Sequence, residues 1–192
     1  KPGDEVIAVA PLPKIKSLVV CNQEQIIIKP KKLSWKDAST LVVTFGLAHM
    51  TLNETCSLEK GQKVLIWGID NVPGKAYLEM AQHLGAEVIT CGTTKEADLN
   101  KRSTTFGKDL KSKLNGSKFD VIINTETSPV PHSILEFTSF DCILCNVSFG
   151  KPCQVPFAMD TRVTYSTVDA ADVMLRSSGE LKTSTMEVLK LV

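Results

Sequence analysis

The chain alternates between short apolar runs and amphipathic stretches, and the change of period marks its elements. "VLIW" at 64–67, "EVITC" at 87–91, "FDVIIN" at 119–124 and "DCILCNVSF" at 141–149 are compact apolar runs, the pattern of strands buried on both faces of a parallel sheet. Between them the apolar spacing shifts to three and four. Ala76, Tyr77, Met80, Ala81 and Leu84 share one helical face, with Pro73 at its entry and Gly85 at its exit. "FGKDLKSKLNG" predicts a short solvated helix, and "PHSILEF" a second with Pro131 near its first turn. Strand and helix thus alternate from about residue 62 to 150, which predicts an α/β fold with a doubly wound parallel sheet.

The flanks read differently. "GDEVIAVAP" and "IKSLVVCNQEQIIIKP" are β-branched with Pro and Gly at their margins, predicting two or three strands within residues 1–30. In "SWKDASTLVVTFGLAHMTLNE", Ser34 is placed to cap a helix, with Asp37 at its third position. The near-continuous apolar character beyond them predicts burial. "DAADVMLRSSGELKTSTMEVLKLV" reads as helix with a break at Gly179. The domain division is therefore 1–30 and 31–192, the second a nucleotide-binding type of sheet with C-terminal helices. A ligand of such a sheet sits beyond the carboxyl ends of the strands, near Trp67, Cys91, Asn124 and Phe149.

Charge removes some partners from consideration. With 22 basic and 21 acidic residues the chain has a net charge of +1, which provides no field to draw in nucleic acid or an anionic membrane. The sequence holds no apolar run long enough to span a bilayer and no leader pattern at its start, which points to the cytoplasm. Six cysteines sit in apolar contexts and read as reduced thiols. Cys142 and Cys145 form a C-x-x-C with Cys153 nearby, but no second pair completes four metal ligands, so no metal site is expected.

"GDEVIAVA", "LVVCNQEQIIIKPKKLSWKDASTLVVTFGLAHMTL", "LEKGQKVLIW", "AQHLGAEVIT", "FDVIINT" and "SFGK" follow in the order and spacing of a known family. The chain resembles the enoyl reductase domains of polyketide and fatty acid synthases, members of the medium-chain dehydrogenase/reductase superfamily without zinc. His132 after "INTETSPVP" resembles the fungal highly reducing synthases, including those fused to a peptide synthetase. The resemblance implies a Rossmann-like domain preceded by remnant strands of a GroES-like barrel. It also implies hydride transfer from NADPH to an enoyl thioester on a carrier protein. Family members carry a further N-terminal stretch, so this chain is expected either to belong to a longer polypeptide or to have lost that region.

Two departures from the family bear on activity. The family's three turn glycines align with Ile69, Asn71 and Gly74, and Gly68 stands one position earlier. Only Gly74 keeps its type. Asp70 adds a carboxylate where a diphosphate should meet the positive end of a helix, and Pro73 removes an N–H from that end. The family's tyrosine segment reads "LAHMTL" in this chain, leaving His49 as a weak proton-donor candidate, and Lys151 matches the lysine of the family's "I-G-K". "ITCGTTKEAD" lacks an acidic residue for a ribose hydroxyl, whereas Thr93, Thr94 and Lys95 are suited to a 2′-phosphate.

The resemblance and its departures together imply a non-reducing enoyl reductase region of an iterative polyketide synthase in fungal secondary metabolism, without tightly bound cofactor and with a structural role. Its expected partners are the neighbouring ketoreductase, dehydratase and carrier protein, a trans-acting enoyl reductase, and a second copy in a homodimer formed through the parent synthase. Two other readings stand beside it. One is a functional NADPH-dependent enoyl reductase, in which Gly68, Asn71 and Gly74 face the diphosphate, Thr93, Thr94 and Lys95 the 2′-phosphate, and Lys151 the proton-transfer region. The other is a stand-alone relative of quinone reductases.

Overall fold

The structure, a computed structural model, describes residues 1–9, 17–149 and 162–191. Near its start β1 (Val6–Ala8) pairs antiparallel with β2 (Ile26–Ile28), opposing Ile7 to Ile27 and burying both. Of the two or three strands expected in this stretch two form, and "LVVC" stays outside them, with Leu18 and Val20 80% and 94% exposed. Lys29, only 5% exposed, locks this hairpin to the start of the next helix. Its ammonium donates to the Leu33 carbonyl at 2.7 Å, pairs with Glu5 at 3.1 Å and lies 4.9 Å from the centre of the Trp35 ring.

Ser34 caps that helix as expected. Its Oγ accepts from the Asp37 amide at 3.1 Å and donates to the Asp37 carboxylate at 2.6 Å. The helix runs through α1 (Trp35–Leu41), a π-helical stretch (Val42–Gly46), α2 (Leu47–Met50) and a second π-helical stretch (Thr51–Thr55). It is not buried all round. Lys36, Asp37, Ser39 and Thr40 are exposed, and from Leu41, where the polar first turns give way to the apolar run, most positions through Leu52 are buried or partly buried.

The main sheet comprises β3 (Lys63–Trp67), β4 (Glu87–Gly92), β5 (Leu99–Asn100), β6 (Phe119–Asn124), β7 (Thr138–Ser148) and β8 (Val163–Asp169). All neighbours pair in parallel in the order β5-β4-β3-β6-β7-β8. Counted from β3 this is the 3-2-1-4-5-6 order of dinucleotide folds, with its switch point between β3 and β6. Two of these strands were not expected. β5 has two residues, and β8 reads "VTYSTVD", an edge strand whose polar positions hide its period.

Strand alternation divides the core. Val64, Ile66, Ile123, Cys145 and Val147 face the N-terminal helix, α3 (Val72–His83) and the C-terminal helix. Leu65, Trp67, Ile122, Cys142 and Leu144 face α4 (Phe106–Leu114) and the 3₁₀ turns of His132–Phe137. Pro131 precedes those turns as their cap. After β8, the Asp169 side chain accepts from the Ala171 and Asp172 amides and starts α5 (Ala170–Arg176), followed by α6 (Ser178–Leu189). The break falls at Ser177, and Gly179 lies inside the first turn of α6. Among the described residues, no helix is long and apolar enough to cross a membrane.

Candidate functional site

The site is the crevice beyond the carboxyl ends of β3, β4 and β6, where the strand order reverses. The chain leaves β3 through Gly68, at φ +102°, a left-handed conformation that glycine adopts without strain. A Cβ at that position would lie 2.6 Å from the Thr125 hydroxyl and 2.7 Å from Glu126 Cγ. Gly74, in the first turn of α3, is packed as closely: an added Cβ would collide with the Gly68 carbonyl oxygen and lie 2.9 Å from its carbon. Helix and strand end therefore touch through two glycines.

Between them, the polar groups bind one another. The Asn71 Oδ1 accepts from the Gly74 amide at 2.7 Å, capping α3, and its amide group donates at 3.1 Å to the Thr125 carbonyl and hydroxyl. The Gly68 and Ile69 amides donate to the Cys91 carbonyl at 3.0 and 3.2 Å. Ile69 is buried, 2% exposed. Pro73 sits in the first turn without an N–H to offer.

Asp70 reaches across to the end of β4. One carboxylate oxygen accepts from the Thr93 amide at 2.7 Å and the Thr93 hydroxyl at 2.8 Å, and the other from the Thr94 amide at 3.0 Å. Burial alone would raise its pKa, but these hydrogen bonds outweigh that and hold it down to about 2. Three lysines around this end are also matched: Lys75 with Glu96, Lys101 with Glu126, and Lys113 with Asp98. The Lys101–Glu126 pair is half-buried over the Gly68 turn.

The sequence-derived candidates thus separate. Gly68, Asn71, Gly74, Thr93 and Thr94 come together at the crevice, and Lys95 is exposed on the same loop. His49 lies apart, on α2, where Glu187, Glu54 and His83 are the charged groups acting on it. Burial lowers its pKa against the opposing pull of the two glutamates, and its Nδ1 is buried without a hydrogen-bond partner. Lys151 and Cys153 lie outside the described residues. Trp67 ends β3 but turns away from α3, stacking edge-on against Phe106 with centroids 6.1 Å apart.

Cys142 and Cys145, three residues apart on one strand, point to opposite faces of the sheet, and burial pushes the Cys142 thiol up to about 12. They are inert core thiols rather than a redox pair. The sequence reading passed over Thr125, Glu126 and Asn146. Asn124 donates to Asn146 Oδ1 at 3.0 Å, and its own Oδ1 accepts from the Glu126 amide at 3.0 Å. An asparagine at the end of one apolar strand and another near the end of its neighbour, in matching register, was the available signal.

A dinucleotide would need donors for its phosphates and room over the turn. In this crevice the Gly74, Thr93 and Thr94 amides already have acceptors within the chain, and two carboxylates, those of Asp70 and Glu126, stand where negative charge would arrive. The residues present do not fit that group.

No family model matches the chain. It is 25% identical over 98% of its length to the highly reducing polyketide synthase sor1 of Hypocrea jecorina. It is 29% identical over 85% of its length to the highly reducing polyketide synthase Preu5 of Preussia isomera. The chain spans only 8% and 7% of those two proteins. Among solved structures, the CurK enoyl reductase superposes over 87% of this chain and 54% of its own, with a TM-score of 0.71 and 19% identity. A probable oxidoreductase from Mycobacterium abscessus covers 100% of this chain and 62% of its own, with a TM-score of 0.76 and 18% identity.

Proposed function

We propose that this chain, whose homologues are segments of fungal highly reducing polyketide synthases and whose Rossmann-like fold is that of medium-chain dehydrogenase/reductase enoyl reductases, is an enoyl reductase region in a non-reducing form. Its role in the synthase is structural. It holds neighbouring ketoreductase, dehydratase and carrier-protein domains in place and pairs with a second copy through the parent polypeptide, while a separate reductase supplies the missing step in trans.

One observation carries this reading. The Asp70 carboxylate takes the Thr93 and Thr94 donors at the end of β4, so the groups best suited to a cofactor phosphate serve the fold instead. Charge repulsion adds to the loss of donors. Two like charges about 5 Å apart repel by roughly 1–3 kcal/mol at an intermediate dielectric.

The second reading, a functional NADPH-dependent reductase, is favoured by the close contact of Gly74 with Gly68, the tight packing of helix on strand end that a dinucleotide site needs. Calorimetric titration of the folded chain with NADPH separates the two. The non-reducing reading expects no saturable binding up to millimolar cofactor. Micromolar binding, with NADPH oxidation when an enoyl thioester is added, makes the second reading the correct one.

A further inference from the structure

The end of β4 is shaped as an anion site. Two consecutive amides, of Thr93 and Thr94, and one hydroxyl, of Thr93, converge on both oxygens of a single carboxylate at 2.7 to 3.0 Å. The preceding residue makes this approach possible. A Cβ on Gly92 would lie 2.5 Å from Asp70 Oδ1 and 2.7 Å from Ile69 Cγ2. Both side chains thus lie over a backbone that carries none of its own, with Ile69 buried beneath and Asp70 at the rim.

We propose that Asp70 is a built-in occupant of this anion site, an intramolecular substitute for a phosphate monoester that closes the crevice from within. The inference rests on the non-reducing reading and deepens it, because it names the group that excludes the ligand and the atoms it holds. A carboxylate and a phosphate monoester are both anions with convergent acceptor oxygens, and the same three donors suit either. The tethered carboxylate has the advantage of proximity: it is held on the turn after β3 and needs no free ligand to fill the site. Lys75, the nearest matched lysine of α3, engages Glu96 first and feels the Asp70 charge only weakly. The occupied site also ties β3 to β4 beyond their ladder, so the switch-point end of the sheet is held together without a cofactor.

The test follows the amide resonances of Thr93 and Thr94 in the full 192-residue chain during titration with adenosine 2′-monophosphate. In the wild type they should not move in a saturable way. In Asp70→Ser they should, with affinity raised by about tenfold or more. An equal response in wild type and folded variant, whether both bind or neither does, overturns the proposal. Should Asp70→Ser fail to fold, hydrogen exchange in the wild type decides: protected Thr93 and Thr94 amides support the clasp, and exchange at the unprotected rate overturns it. Failure of the functional reading looks different. NADPH that binds and is oxidised while these two amides stay still would sink the non-reducing assignment and leave the occupancy of the site intact.

Discussion

Gly74, at the start of α3, rests directly on the carbonyl of Gly68, at the end of β3, with no room for a side chain between them. This contact sets the distance at which the helix crosses the strand end. Replacing Gly74 by Ala forces the helix away from the turn. Overpacking of this kind costs about 1–3 kcal/mol, so Gly74→Ala should lower the urea midpoint by the corresponding amount while a Gly107→Ala control, on an open surface, should not.

Tyr77 holds the same helix to the long N-terminal one. Its ring is fully buried, and its hydroxyl donates to Thr51 Oγ1 at 2.8 Å. Burial drives the phenol's pKa well above its ordinary value, so it is neutral and a donor at neutral pH. Tyr77→Phe keeps the ring and leaves the buried Thr51 hydroxyl without this partner. A loss of about 1–2 kcal/mol is expected from equilibrium unfolding, and Thr51→Val, which removes the other partner, should restore part of it in the double variant.

The Asp70 clasp has a pH signature whose sign follows from its depressed pKa. A carboxyl held at about 2 in the folded chain and near 3.8 when unfolded stabilises the fold above the higher value. That contribution disappears as pH falls through the lower one. The stability difference between wild type and Asp70→Asn should therefore be constant above about pH 5 and shrink as the pH approaches 2. Denaturant midpoints taken across this range check it. A difference that does not change with pH would mean that the variant acts through something other than the charge.

Much of this architecture was legible because burial writes itself into apolar periodicity. "VLIW", "EVITC" and "FDVIIN" lie within or form most of β3, β4 and β6, and the Pro73 and Gly85 punctuation bounds α3, whereas the capping role of Asn71 was not foreseen. β8 escaped notice because an edge strand in this sheet needs only Val163 and Val168 buried, and its Thr and Ser positions resemble a loop. The Gly179 break was misplaced by two residues since Ser177 makes the turn and glycine is tolerated in the first turn of α6. At the site, the departures at 69–71 were visible, but the destination of the Asp70 side chain was not. Nothing local in the sequence says that a residue after β3 bonds to amides 23 and 24 positions later.

Repairing the crevice requires more than restoring the turn's glycines. Ile69 is buried, so Ile69→Gly opens a cavity that costs about 2–5 kcal/mol, and Asn71→Gly gives up the bonds to Thr125. Removing the two carboxylates leaves those parts in place. Asp70→Ser frees the Thr93 and Thr94 donors, and Glu126→Ala clears the space over Gly68 and releases Lys101 to meet a diphosphate. The two carboxylates hold separate partners, Thr93 and Thr94 in one case and Lys101 in the other, so their effects are expected to be close to additive. The double variant should bind NADPH on the order of a hundredfold more tightly than the wild type, against about tenfold for either single change. Isothermal titration on all four proteins measures this directly. If the double variant binds no better than Asp70→Ser alone, then Glu126 is not an obstacle and the self-capping of α3 by Asn71 limits access.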